Sequence, residues 1–251
     1  MGDCRRSVGD GMTGRRHAAE VLDLLLAERP LLHGGTGREV NWSLGDELLR
    51  WLVAAVPPGG RTLETGCGYS TIVFAALSDE HTVISPSAEE HERILEWCGA
   101  HDIRTGHLRF EEAPSERYLP GLPPGRPELD VVLIDGDHCF PIPAIDWFYA
   151  APLLRVGGVC VIDDVSIRAC GELADFLAAE AGRWDRVVDL DGAQAYRRLD
   201  LEIHGSEGRW RAQPWNSSTD RQGSMATVRA AVHRIRRAPR LRSRLGLPRR
   251  D

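Results

Sequence analysis

The stretch VVLIDGDHCF, residues 131–140, decides how the chain is read. Four strand-forming residues, Val131 to Ile134, run without a polar break into Asp135, Gly136, Asp137 and His138. A strand that shows no alternation of apolar and polar residues is one covered on both faces. Its end delivers two carboxylates and an imidazole to one place. Working outward, GGVCVIDD (157–164) repeats the pattern, an apolar run ending in Asp163 and Asp164. RTLET (61–65) is a third strand, and it runs into the glycine-bearing GCGYST.

Between and around these strands the pattern switches to helical spacing. STIVFAAL, SAEEHERILEWCGA, IPAIDWFYAAPLL and ACGELADFLAAEAG read as helices. HTVIS, HLRFE, DRVVDL and QAYRRL read as further strands. Ser87 and Glu90 form a capping-box pattern ahead of the second of those helices. Strands alternating with helices predict an α/β, doubly wound sheet of about seven strands with helices on both faces. It is mostly parallel, with an antiparallel last strand, because Asp191–Gly192 is a turn signal between the final two. A strand order of 3-2-1-4-5 would make the ends of the first, fourth and fifth strands neighbours. In such sheets ligands bind beyond the carboxyl ends of the strands.

Residues 1–16 are polar and are expected to be disordered. Residues 17–58 hold two helices on the acceptor or lid side, HAAEVLDLLLAE, ended by Pro30, and SLGDELLRWLVAAV, with Ser43 and Asp46 as its capping box. Residues 59–202 form the sheet domain, and residues 203–251 a loop and a basic tail. Residues 201–251 carry 12 arginines against 4 acids, which leaves −14 for the remainder of a chain whose net charge is −6. An acidic body makes nucleic acid an unexpected partner. MATVRAAVHRIRRA in the tail reads as a short basic helix.

The composition, 42% hydrophobic and 27% charged, is that of a globular chain. VLDLLLA is too short to span a bilayer and lacks a cleavage pattern behind it. None of the six cysteines forms a CxxC pair, so no zinc or redox motif is suggested. A cytoplasmic location is expected.

The glycine loop, LETGCGYST (63–71), places Gly66 and Gly68 between a strand and a helix, where close backbone approach is allowed and exposed amides can hold an anion. A dinucleotide fingerprint wants a third glycine two positions later, and Ser70 and Thr71 stand there instead. A tight turn with no ligand is the plainer alternative. Asp135, Asp163 and Asp164 would be three carboxylates in close quarters, and a divalent cation relieves their repulsion. Three aspartates leave about half of an octahedral shell open, which suits an acceptor with two adjacent hydroxyls. The alternatives are that Asp135 touches a cofactor and that Asp163 and Asp164 cap the following segment.

ETGCGYST, DVVLIDGDH and LLRVGGVCVIDDV together resemble the class I S-adenosylmethionine-dependent methyltransferases, which have a Rossmann-like fold. The likeness covers roughly residues 40–200. Within that class it is closest to the divalent-cation-dependent O-methyltransferases, such as catechol O-methyltransferase and the enzymes that methylate natural-product sugars. The resemblance implies S-adenosyl-L-methionine as cofactor and a divalent cation, Mg2+ by preference. Glu64, Thr65, Gly66, Cys67, Gly68, Ser70 and Thr71 would hold its methionine part, with Ser70 near the carboxylate. Ser115 and Glu116 would lie near adenine. Asp135, Asp163 and Asp164 would be the metal ligands, and Asp135 also borders the cofactor. His138, three residues after the first ligand, would be the catalytic base.

One departure stands out. The family ends its second strand with an acid that binds the ribose, and this chain has VISPS there, giving Ser85 and Ser87. Either Glu89 or Glu90 bends in, or the ribose is held more loosely. The simpler reading keeps both glutamates as the acidic first turn of a helix. Trp147, Phe148 and Tyr149 are candidates for an acceptor pocket, with a core role the commoner fate, and Trp42 is a lid candidate. The expected partner is a small hydroxylated acceptor, with a homodimer one option for assembly. A metal-independent methyltransferase acting on nitrogen or another centre, and a non-catalytic binding domain, are the competing functions.

Overall fold

The computed structural model describes residues 8–34, 44–122, 128–190, 192–202 and 213–217. Two compact units divide the chain, Met1–His204 and Gly205–Asp251. In the second, the described residues form one short helical turn, Pro214–Ser217. The expected helix at 225–238 lies outside the described residues, as do Ser43 and Trp42.

The first unit begins with α1 (Val8–Glu28) and α2 (Asp46–Ala55). The alternating part follows: β1 (Gly60–Thr65), α3 (Tyr69–Leu77), β2 (Ser78–Ile84), α4 (Ala88–Ala100), β3 (Leu108–Glu111), α5 (Ser115–Tyr118), β4 (Leu129–Ile134), α6 (Ile142–Ala150), β5 (Leu154–Ile162), α7 (Arg168–Ala179), β6 (Trp184–Leu190) and β7 (Ala193–Arg198). The sheet order is β3-β2-β1-β4-β5-β7-β6. β1 to β5 pair in parallel, and β7 pairs antiparallel with both β5 and β6. The doubly wound fold and its antiparallel end are therefore as the sequence pattern predicts, and α5 is an addition to it.

β4 shows why its sequence has no polar break. Val131 and Leu133 join the core made with α1, α2, α3 and α4. Val132 and Ile134 join the core made with α6 and α7. All four are at most 1% exposed. Each such side chain contributes about 1.5–3 kcal/mol by leaving water.

Two expectations at the N-terminal end are corrected. α1 starts at Val8, not at His17. Tertiary contact overrides the polar composition there: the Arg15 guanidinium donates to the carbonyls of Val53 and Ala54 at the end of α2. The residue preceding α2 is Gly45, with no side-chain cap, and Asp46 is instead engaged by Arg29 in a two-pronged pair of 2.9 and 2.6 Å. By contrast, Ser87 caps α4 by accepting the Glu90 N–H, as its spacing predicts. Among the described residues no helix is long and apolar enough to cross a membrane.

Candidate functional site

The chain leaves β1 through Gly66, which has a φ of +88°. The Gly66 N–H donates to the Ile84 carbonyl at the end of β2, and the Asp135 N–H donates to the Thr65 carbonyl at the end of β1. The ends of β1, β2, β4 and β5 therefore lie side by side. They open onto a pocket of about 930 Å³, a size suited to a small-molecule ligand. Its wall includes Gly66 and Cys67 from the glycine loop, Ser85 after β2, and Ser115 and Glu116 from α5. Asp135, Gly136, Asp137 and His138 follow β4, and Asp163 and Asp164 follow β5.

Five of the expected cofactor residues, Glu64, Thr65, Gly68, Ser70 and Thr71, are not part of this wall. Glu64 is 1% exposed and its carboxylate is spent inside the fold. It accepts hydrogen bonds from the Ser70 hydroxyl (2.5 Å) and from the Thr71 hydroxyl. His81 Nε2 on β2 lies 3.0 Å from the same carboxylate, and His81 Nδ1 is 2.8 Å from Thr62. Thr71 also accepts the Gly68 N–H at 3.0 Å. Glu64, Ser70 and Thr71 thus set the shape of the glycine loop from behind. A buried carboxylate is tolerable only with such partners. Thr65 is fully buried beneath Gly136, where a Cβ on that glycine would come within 3.3 Å of it.

Asp135, His138, Asp163 and Asp164 line the same pocket. His138 lies between two carboxylates, with Nε2 3.6 Å from Asp135 and Nδ1 3.5 Å from Asp164. Asp164 has φ +52°, a left-handed conformation that aspartate tolerates better than most residues. Burial raises the Asp135 carboxyl above its usual range. Burial, with Asp135 nearby, pushes Asp163 up to about 7. The Asp135 carboxylate beside it holds the His138 imidazole above its ordinary value. Asp137 is held low by the Cys139 N–H, which donates to it at 2.7 Å.

The donor set is chemically right for a hard divalent cation, since the three carboxylates lack enough positive charge among them. Its arrangement is not that of a formed metal centre. Among the described residues no three carboxylate, imidazole or thiol groups converge as a metal-holding group. The imidazole lies between two of the carboxylates.

Sequence reasoning undervalued Glu90. It is in the first turn of α4, as expected, and it also lines the pocket. His33 holds its carboxyl below the usual range, with Nδ1 3.3 Å from Glu90 Oε1, and Cys67 Sγ donates to Oε2 at 3.4 Å. Glu89 turns outward to Arg93. His33 was not anticipated at all; no local pattern marks it. The three aromatics of α6 stay off the pocket wall. Trp147 is 6% exposed in the core against Phe176, and Phe148 and Tyr149 pack edge to face at the outer surface.

Asp146 on α6 is the other unforeseen residue. It is 0% exposed, and among the described residues neither carboxylate oxygen has a hydrogen bond of good geometry, although the Ser115 and Thr65 hydroxyls lie beside it. Burial pushes it up to about 6, and the neighbouring Ser115 and Thr65 hydroxyls oppose the rise. With a folded pKa above the usual 3.8, the folded chain keeps a proton that the unfolded chain has lost between those values. Stability therefore falls as pH rises through that window, by about 3 kcal/mol in all. Asp146→Asn is expected to be more stable than the parent at pH 7.5 and to lose this dependence. Denaturation midpoints across pH check it, and equal stability of the two proteins at pH 7.5 would refute it.

Residues 63–165 match the family model described as a methyltransferase domain. No curated protein matches the chain. Among solved structures it resembles a protein described as an O-methyltransferase from Klebsiella pneumoniae, at 18% identity and a TM-score of 0.51. That match covers 75% of this chain and 100% of the other. The O-methyltransferase TomG from Streptomyces achromogenes, involved in tomaymycin synthesis and solved with S-adenosylmethionine, is similar at 18% identity and a TM-score of 0.50. Here 73% of this chain and 90% of the other are covered. An rRNA methylase from Streptococcus thermophilus matches at 10% identity and a TM-score of 0.46, over 60% of this chain and 93% of that one. At 18% identity the first two of these structures speak for the fold alone. Residues 63–165 are thus similar to a methyltransferase domain, on a fold shared with solved methyltransferases.

Proposed function

We propose that the enzyme transfers the methyl group to a hydroxyl of a small molecule and that His138 takes the hydroxyl proton. The observation that carries this reading is the imidazole at the pocket wall, placed between Asp135 and Asp164. S-adenosylmethionine supplies a methyl group on a sulfonium, ready for displacement by an aligned oxygen. Gly66, Cys67 and the loop braced by Glu64 form the methionine side of its seat, and Ser115 with Glu116 the adenine side. Glu90 stands in for the acid missing after β2 and faces the ribose.

Asp135, Asp163 and Asp164 would hold a divalent cation, whose contribution is to orient the acceptor hydroxyl and make it more acidic. The residues themselves act on the proton. Asp164 faces Nδ1 and orients the ring, and Nε2 of the neutral imidazole, without a hydrogen-bond partner among the described residues, accepts the proton as the oxygen attacks. A second reading is favoured by the absence of a converged ligand group among the described residues. In it His138 itself balances the carboxylates and methyl transfer needs no metal. The five described cysteines are free, which supports a cytoplasmic, reducing setting.

The test is a screen of hydroxylated small molecules for transfer of a labelled methyl group, with added Mg2+ and with a chelator. The metal-assisted reading expects product only in the first condition, with at least a ten-fold loss on chelation and recovery when Mg2+ is restored. Equal turnover in both conditions would select the metal-free reading. Transfer to nitrogen alone would remove the hydroxyl assignment.

A further inference from the structure

The segment 30–34 is pinned over the glycine loop by side chains from two helices. The Tyr69 hydroxyl of α3 donates to the Pro30 carbonyl at 3.0 Å. Arg93 of α4 donates to the carbonyls of Leu32 (2.9 Å) and Gly34 (2.7 Å), on either side of His33. His33 itself has Nδ1 3.3 Å from Glu90 and a side chain only 10% exposed. Three anchors within five residues make this segment a fixed part of the pocket wall, to which His33 belongs.

The other imidazole nitrogen has no such assignment. His33 Nε2 is buried and has no hydrogen-bond partner among the described residues. It lies against Gly68, where a Cβ would stand 2.9 Å from it. Gly68 is the residue immediately before α3. The start of that helix favours an anion through its dipole. A polar atom left buried and unpaired costs about 1–3 kcal/mol, and the cost is removed when a ligand supplies the partner. Ser70, the side chain expected near the cofactor's carboxylate, is committed to Glu64. Among the described residues at this corner, His33 is a polar side chain with an atom still to offer.

We propose that His33 binds the carboxylate of the amino-acid end of S-adenosylmethionine, donating from Nε2 while Nδ1 donates to Glu90. This rests on the reading that the pocket takes that cofactor. It adds a binding residue supplied from outside the sheet domain, by the segment between α1 and α2. The sequence on either side of His33, RPLLHGG, carries no motif for this role.

Two ligands separate the amino-acid end from the rest of the molecule. S-adenosylhomocysteine has it, and 5′-methylthioadenosine lacks it. Both are titrated by calorimetry into the full chain, as parent, His33→Ala and His33→Gln. The expected result is a loss of about ten-fold or more in affinity for S-adenosylhomocysteine in His33→Ala, the worth of one charged hydrogen bond. His33→Gln recovers part of it, and both variants bind methylthioadenosine as the parent does. An equal loss for the two ligands would mean that His33 only props the wall, and the proposal falls. Unchanged affinity for both would also end it. A parent chain that binds neither ligand would instead overturn the cofactor reading of the pocket, a failure separable from the other two.

Discussion

His138→Ala is expected to lower kcat by about 100-fold or more while S-adenosylhomocysteine binds as before. Positioned acid–base groups contribute about 10²–10⁴-fold to proton transfer. His138 sits between Asp135 and Asp164, with Nδ1 3.5 Å from Asp164 and Nε2 without a hydrogen-bond partner among the described residues. Only the neutral imidazole can take a proton. Asp135 holds the ring above its ordinary value, so the protonated form persists to higher pH. In the metal-free reading, activity should rise with pH, with a midpoint above the usual histidine value of about 6.5. The alanine variant should lose that limb of the profile together with its turnover. Turnover within two-fold of the parent would eliminate His138 as the base and leave only an electrostatic role for it.

The second large effect is structural. Gly66→Ala is expected to abolish binding of S-adenosylhomocysteine and to lower Tm by about 6 °C or more. A Cβ at this position would lie 2.1 Å from the Asp135 carbonyl oxygen and 2.9 Å from its carbon. These are backbone atoms of the neighbouring strand end and cannot rotate away. The φ of +88° adds a penalty that only glycine escapes, about 1–2 kcal/mol. Relieving the clash means separating the ends of β1 and β4, which breaks the hydrogen bond from the Asp135 N–H to Thr65. A total near 3 kcal/mol corresponds to that change in Tm for a domain of this size. Gly99→Ala is the control. A Cβ there meets nothing within 4 Å, and α4 gains a better helix former. If Gly66→Ala melted and bound like Gly99→Ala, the close approach of the two strands would be of no consequence.

The positions of these two residues were legible to different degrees. His138 follows directly from VVLIDGDH, because a doubly buried strand must end where polar residues begin. Gly66 was marked as a place of close approach by its position between a strand and a helix. Its particular neighbour, the Asp135 carbonyl, comes from a strand some seventy residues later. The same division runs through Glu64. Its place at the end of β1 reads as a cofactor contact, yet three partners claim it, one of them His81 on the adjacent strand.

By itself the sequence determined the alternation of strands and helices, the two-faced burial of β4, and the gathering of Asp135, His138, Asp163 and Asp164 at strand ends. Those features depend on periodicity and chain direction, which are local. The tertiary structure alone decided which side chains in that corner remain free for a ligand. Glu89 and Glu90 are adjacent in the chain and identical in chemistry. One helical step of about 100° sends the first to Arg93 and the second into the pocket beside His33. A neighbour 57 positions away cannot be read from spacing, because packing brings the two together.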